Sequence, residues 1–291
     1  MATQHIEGEG RWDGLSGQPL ADALAVAAHL PGSGRLGIAY SGGVDSAVLL
    51  AVAVRALGPE RALGLLAVSD SLARDEHNLA RETAAEIGAL VIEFETHEGD
   101  NPAYRANDVD RCFHCKDEMF TVIDTRLVAE LDLAAVAYGE NADDAARIDR
   151  PGAQAATNHA VLRPLAEAGL TKRRVRDLAR ALGLSVADKP AAPCLASRIP
   201  HGQEVTPEKL KQVEAGEEAL REAGFGDARV RHHGDIARIE VPAAELALFA
   251  DAERREAVLK ALRAAGFPYV TVDLAGLQSG AFTLQVLTRR G

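Results

Sequence analysis

The chain has 291 residues, with 32 basic against 43 acidic side chains and a formal net charge of −11. A hydrophobic fraction of 47% beside 26% charged residues excludes wholesale disorder, and the acid excess disfavours a protein that grips nucleic acid by bulk charge. At roughly 100–200 residues per domain, the length fits one large domain or two modest ones.

Residues 1–18 are polar and Gly-rich and read as a loose lead-in. Apolar spacing predicts a helix over 20–30, stopped by Pro31-Gly32, then a buried strand over 36–40. After SGGVDS at 41–46 comes a helix ended by Gly58-Pro59, a strand over 62–68, a charged helix over 74–87 and a strand over 90–94. A helix over 116–131 and a strand over 134–138 follow. This alternation implies right-handed βαβ units: an α/β fold with a parallel sheet and helices on both faces.

Beyond about residue 200 the rhythm changes. Thr206-Pro207 starts a helix running to 223, with Thr as N-cap and Pro in the first turn. Strands over 229–231 and 236–241 flank His232-His233-Gly234-Asp235, expected as a hairpin turn. A long helical pattern over 242–265 and strands over 269–274 and 282–287 complete a small α+β domain. The expected organisation is therefore 1–18 lead-in, 19–200 main domain and 201–291 C-terminal domain. The longest apolar run, 47–54, falls far below the ~18–20 residues that span a bilayer. The N-terminus lacks the basic and apolar regions of a secretory signal. A cytoplasmic protein without membrane association is expected.

The chemistry begins at SGGVDS. Between a buried strand and a helix, backbone N–H groups converge on an anion. Gly42 and Gly43 permit close backbone approach, Ser41 and Ser46 add hydroxyl donors, and Asp45 is placed to hold a magnesium ion or orient the loop. A Gly-Lys-Ser/Thr ending is missing, so γ-phosphoryl transfer is not the natural inference. The plain alternative is a Gly-rich turn capping a helix. The segment resembles the pyrophosphatase (PP) loop of the ATP-pyrophosphatase superfamily, which implies ATP cleavage to AMP and pyrophosphate with a substrate oxygen adenylylated first.

Further segments narrow the resemblance: Asp110 to Lys116 (DRCFHCK), Gly139 to Asp144 (GENADD), Arg163-Pro164-Leu165, and Asp188 to Arg198 (DKPAAPCLASR), with RVRHHGDIARIE in the C-terminal part. Together they are similar to the LarE family of ATP-dependent sulfur transferases. That resemblance implies a pyridinium-3,5-biscarboxylic acid mononucleotide substrate whose adenylylated carboxylate becomes a thiocarboxylate, in nickel-pincer nucleotide biosynthesis. It implies ATP contacts by residues Ser41 to Ser46, Lys116, Gly139 and Arg163, and Mg2+ as a cofactor. It implies anion contacts by Arg198, Arg229 and Arg231, and a C-terminal domain that supports homo-oligomerisation. Sulfur would come from Cys194 itself, or from sulfide on a 4Fe-4S cluster held by Cys112, Cys115 and Cys194. Gln278 stands where the family more usually has Arg, so an anion contact made there is lost.

Three cysteines cannot all pair internally. Chemistry supports a nucleophilic thiolate at Cys194, eased by cations such as Lys189 or Arg198. It equally supports a cluster with one iron lacking a protein ligand. A zinc site recruiting His114 or His201, a redox pair at Cys112/Cys115, and inert thiols stand beside these. Charges at Arg173, Arg174 and Arg176 read as a solvated helix face, and Asn141, Asp143 and Asp144 as either ligand residues or an Asx turn with an N-cap. Competing functions are a tRNA thiolase with the same loop, an ammonia-fed synthetase, and an ATP-binding regulatory module without turnover.

Overall fold

The computed structural model describes residues 10–147 and 151–277. The predicted strand over 282–287 and Gln278 lie outside the described residues. The chain divides into two compact units. The first comprises residues up to 69, 74–97 and 113–192; the second comprises 70–73, 98–112 and the chain from 193 onward.

The first unit is an α/β fold on a four-stranded parallel sheet: β1 (Arg35–Ala39), β2 (Ala62–Val68), β3 (Leu90–Glu95) and β4 (Leu133–Tyr138), in the order β3-β2-β1-β4. Strand β1 is central, pairing with β2 through Leu36↔Ala62 and with β4 through Leu36↔Ala135. It is buried after its first residue, as a strand covered on both faces must be. Helices α1 (Gly17–Ala27), α2 (Val44–Leu57), α3 (Arg74–Ile87), α4 (Arg111–Val122), α5 (Pro151–Asn158) and α6 (Lys172–Ala181) surround the strands in sequence. The first two residues of α4 are counted with the second unit. Phe120, Ile123, Leu127 and Tyr138 join Leu63, Leu65 and Phe94 in one apolar cluster.

The second unit holds α7 (Pro207–Glu222), a three-stranded sheet of β5 (Arg229–His233), β6 (Ile236–Glu240) and β7 (Tyr269–Val272) in the order β5-β6-β7, and α8 (Ala252–Ala264). Thr206 caps α7 with its side chain on Lys209 N, and Pro207 occupies the first turn, as the sequence predicts. Leu220, Val230, Ile239, Leu262 and Phe267 form its core. No helix among the described residues is long and apolar enough to cross a membrane.

Three local expectations change. The helix predicted from 116 starts at Arg111, whose N–H bonds Asp108 O, so Cys112 and Cys115 lie on the helix rather than on a turn before it. His232 and His233 belong to β5 rather than to the turn, because Gly234, at φ +66°, supplies the left-handed residue that the reversal needs. The pattern over 242–265 breaks at Asp251, an extended residue whose carboxylate caps Arg254 N and so begins α8 afresh.

Candidate functional site

In the first unit the loop 41–46 joins the C-terminal end of β1 to the first turn of α2, where parallel sheets present ligands. Ser46 stitches the loop closed: its hydroxyl donates to Gly43 O at 3.0 Å and accepts from Ser41 N at 3.2 Å. Gly43 caps α2 with no side-chain hydrogen bond, so first-turn N–H groups stay available to an anion. Two glycines are required by space. Gly42 has φ +69°, and a Cβ there would meet Ala80 Cα at 2.8 Å. At Gly139, after β4, a Cβ would lie 2.7 Å from Ser46 N.

Around this loop the polar residues are interlocked. Asp45 pairs with the Lys172 ammonium and accepts from Asn141 Nδ2 at 3.3 Å. Asn141 is buried and caps the following single turn, its Oδ1 accepting from Asp144 N at 3.0 Å. Asp143 accepts from Lys172 N at 2.8 Å. The GENADD segment is thus an Asx cap whose Asn faces the loop carboxylate. Lys116 Nζ sits 4.7 Å from the Tyr138 ring centroid, and the Arg163 guanidinium 5.9 Å from it, each within cation–π range. Arg163 also pairs with the buried Glu140 at 3.5 Å.

In the second unit Cys194 precedes a single 3-10 turn, Leu195–Arg198, with its own side chain exposed. Three buried arginines grip the backbone of this turn. Arg198 Nη1 donates to the carbonyls of Pro193 and Cys194, the latter at 3.1 Å; Arg111 Nη1 donates to Ala196 O at 2.9 Å; Arg231 Nη1 donates to Ser197 O at 3.1 Å. Leu195 N in turn donates to Ser71 O at 3.0 Å. Two of the arginines carry buried carboxylate partners. Arg198 makes a bidentate pair with Glu217 at 2.9 and 3.1 Å, and Arg231 pairs with Glu240 at 2.7 Å. The acidic groups acting on Arg111 are of another kind. Burial works against its charge, but the Cys194 and Cys112 sulfurs and the Tyr104 phenol more than offset that, and its pKa stands above the ordinary value.

The asparagine synthase family profile matches residues 21–239. A pyridinium-3,5-bisthiocarboxylic acid mononucleotide synthase of Lactiplantibacillus plantarum is 35% identical over 84% of this chain and 88% of its own. An uncharacterized protein of Synechocystis sp. is 41% identical over 87% of this chain and 92% of its own. The chain belongs to the LarE-type branch of the PP-loop ATPases. Its activity is accordingly that of an ATP-dependent sulfurtransferase. An uncharacterized Methanocaldococcus jannaschii protein is 30% identical over 58% of this chain and 64% of its own.

Within this LarE-type chain the residues Ser41, Gly42, Gly43, Val44, Asp45, Ser46 and Gly139 come together at one loop, and Lys116 and Arg163 meet at one ring. Cys112 and Cys115 lie one turn apart on α4, spaced to share a face. Arg198 is committed to the protein itself, since each nitrogen of its guanidinium has a protein acceptor. Arg229 is tied to Asp227 and to Ala228 O. Lys189, expected as a cation for Cys194, is ion-paired with Glu76. Arg174 and Arg176 are not a solvated face: the first binds the buried Asp22, the second the carbonyls of Ala187 and Lys189. Sequence reasoning missed Asn107, Arg111 and Glu217. The four-residue spacing of Asn107 and Arg111 just ahead of Cys112 was the available signal.

Proposed function

We propose that this sulfurtransferase acts on pyridinium-3,5-biscarboxylic acid mononucleotide, the dicarboxylate precursor of the compound for which its Lactiplantibacillus relative is named. One observation carries the reading: a phosphate-ready PP loop and a thiol on an arginine-gripped turn occur in the same chain. A substrate carboxylate oxygen attacks the α-phosphorus of ATP, and pyrophosphate leaves. The Cys194 sulfur then attacks the acyl carbon and AMP departs, because adenylylation has replaced oxide, a poor leaving group, with AMP, a good one. Cleavage of the Cβ–Sγ bond with loss of the α-proton releases the thiocarboxylate and leaves dehydroalanine at 194.

The first-turn N–H groups of α2, with Ser41 and Ser46, bind the phosphates, and Lys116, Gly139 and Arg163 complete the ATP site. Arg229 on β5 serves the substrate phosphate, whereas Arg231, expected there too, is held by Glu240 and by Ser197 O. Mg2+, when bound, neutralises phosphate charge. Asp45 suits it: this ion typically takes one or two carboxylates plus substrate phosphates, and this carboxylate is already oriented by Asn141. The nucleotide chemistry is assigned to 19–200, and substrate binding and homo-oligomer assembly to 201–291. Action on a small nucleotide rather than nucleic acid accords with the net charge of −11, and the site of action is assigned to the cytoplasm.

The alternative sulfur carrier is a 4Fe-4S cluster on Cys112, Cys115 and Cys194. Three thiolates match the donor chemistry of such a cluster. Among the described residues no group of three His, Cys, Asp or Glu side chains is placed to hold a metal ion. Anaerobic purification with iron and sulfide analysis, followed by intact mass after turnover, tests the reading. A loss equal to hydrogen sulfide supports the Cys194 route, and bound iron with an unchanged Cys194 supports the cluster. Undiminished thiocarboxylate formation by Cys194→Ala overturns both.

A further inference from the structure

The turn that carries Cys194 is held in an unusual way. Carbonyl oxygens of residues 193, 194, 196 and 197 each accept from a guanidinium, and the three guanidinium groups come from different elements: the turn itself, α4 and β5. Arg198 is 4% exposed, as is Glu217, and Arg111 is 7% exposed. Burying such groups is costly unless they are paired and hydrogen-bonded. Glu217 also accepts from Val230 N at 3.0 Å, so the pair that grips Cys194 O is anchored in the sheet of the second unit.

We propose that Arg198 and Arg111 are positioning residues for the sulfur donor: they fix the Cys194 backbone so that the exposed thiol is delivered to one place, and neither contacts the substrate. The inference rests on Cys194 being the atom that transfers sulfur. Its physical basis is orientation. After adenylylation the electrophile is already activated, so placement of the attacking sulfur decides the rate, and a displacement of about 1 Å can cost roughly 100-fold. A guanidinium suits the task because its planar fork serves a carboxylate and neighbouring carbonyls together, which a lysine ammonium on a flexible stem does not. For Arg198, an anion-binding role would require breaking the Glu217 pair or the carbonyl bonds that define the turn.

The test is a split between steps. Arg198→Lys keeps the charge and loses the fork. ATP–pyrophosphate exchange with pyridinium-3,5-biscarboxylic acid mononucleotide normalises for folded, adenylylating enzyme. Single-turnover thiocarboxylate formation is then followed against nucleotide concentration. The expected result is exchange like that of the parent, transfer at saturation slower by roughly 100-fold, and an unchanged half-saturating concentration. Arg111→Lys, which reaches the turn from α4, gives the same split and stands in should the first variant fail to fold. A raised half-saturating concentration with a normal saturated rate would overturn the proposal, making the altered arginine a substrate contact. Equal loss of exchange and transfer would reduce the arginines to general stability and overturn it as well. Cys194→Ala run in parallel separates the two levels: retained transfer there removes the functional reading itself.

Discussion

Asn107 accepts a hydrogen bond from Arg111, one turn further along the chain, while its amide nitrogen donates to the carbonyls of Ile199, Pro200 and Gln203 at 3.2, 2.9 and 2.9 Å. Its own carbonyl takes Gly202 N and faces the His201 ring. A fully buried residue at φ +56° thus ties the segment before Cys112 to the segment after Cys194. Asn tolerates the left-handed conformation better than most residues with a Cβ. Asn107→Ala removes the acceptor of Arg111 and leaves buried carbonyls short of a donor. It should destabilise the protein by about 3 kcal/mol, measured by urea unfolding, whereas an exposed Asn→Ala control away from caps should stay within about 0.5 kcal/mol.

Gly139→Ala should damage the ATP loop without touching any proposed ligand side chain. Its new methyl would collide with backbone at Ser46 N and Asp45 C, at 2.7 and 2.8 Å, where nothing flexible can yield. Overpacking of this kind costs about 1–3 kcal/mol, and the displaced atoms are those that present N–H groups to phosphate. Weakened ATP binding in calorimetry, with loss of pyrophosphate exchange, is the expected outcome. Retention of parental affinity would show that the loop relaxes freely.

Lys172 gives a charge test. Its ammonium pairs with Asp45, while its N–H bonds Asp143. Lys172→Met keeps the backbone bond and leaves Asp45 without its cation beside the phosphate site. Pyrophosphate exchange should fall by up to roughly 100-fold, the lower end of what losing one preorganised electrostatic partner costs, and raising Mg2+ should recover part of it if Asp45 then holds the ion more readily.

His159 lies between Asp124 and Asp117, the second at 3.1 Å, against the Phe120 ring. Burial disfavours its charge, but the hydrogen bonds its ring nitrogens donate to the two carboxylates prevail and raise its pKa. A group whose folded pKa is raised stabilises fully below its unfolded pKa, about 6.5, and that contribution is lost as pH rises through the folded value. His159→Gln should therefore lower Tm most near pH 6 and progressively less in alkaline buffer. A Tm difference independent of pH between 5.5 and about 9 would contradict the assignment.

Sequence alone determined the parts whose physics is local. Loop 41–46 was legible because phosphate binding needs small residues at a strand–helix junction, and the parallel α/β order because helix and strand periods differ along the chain. Cys194 was marked by the resemblance of its segment, Asp188 to Arg198, to the LarE family rather than by local physics. Tertiary structure decided what the arginines do. Arg198 looked like a free cation for an anion, yet its carboxylate partner lies 19 positions away. Arg111 meets Ala196 across 85 positions, and Asn107 meets Ile199 across 92. A guanidinium reads the same in sequence whether it faces solvent phosphate or a buried carbonyl. The cost of leaving a buried charge unpaired is settled only when the chain has folded and brought its partner within reach.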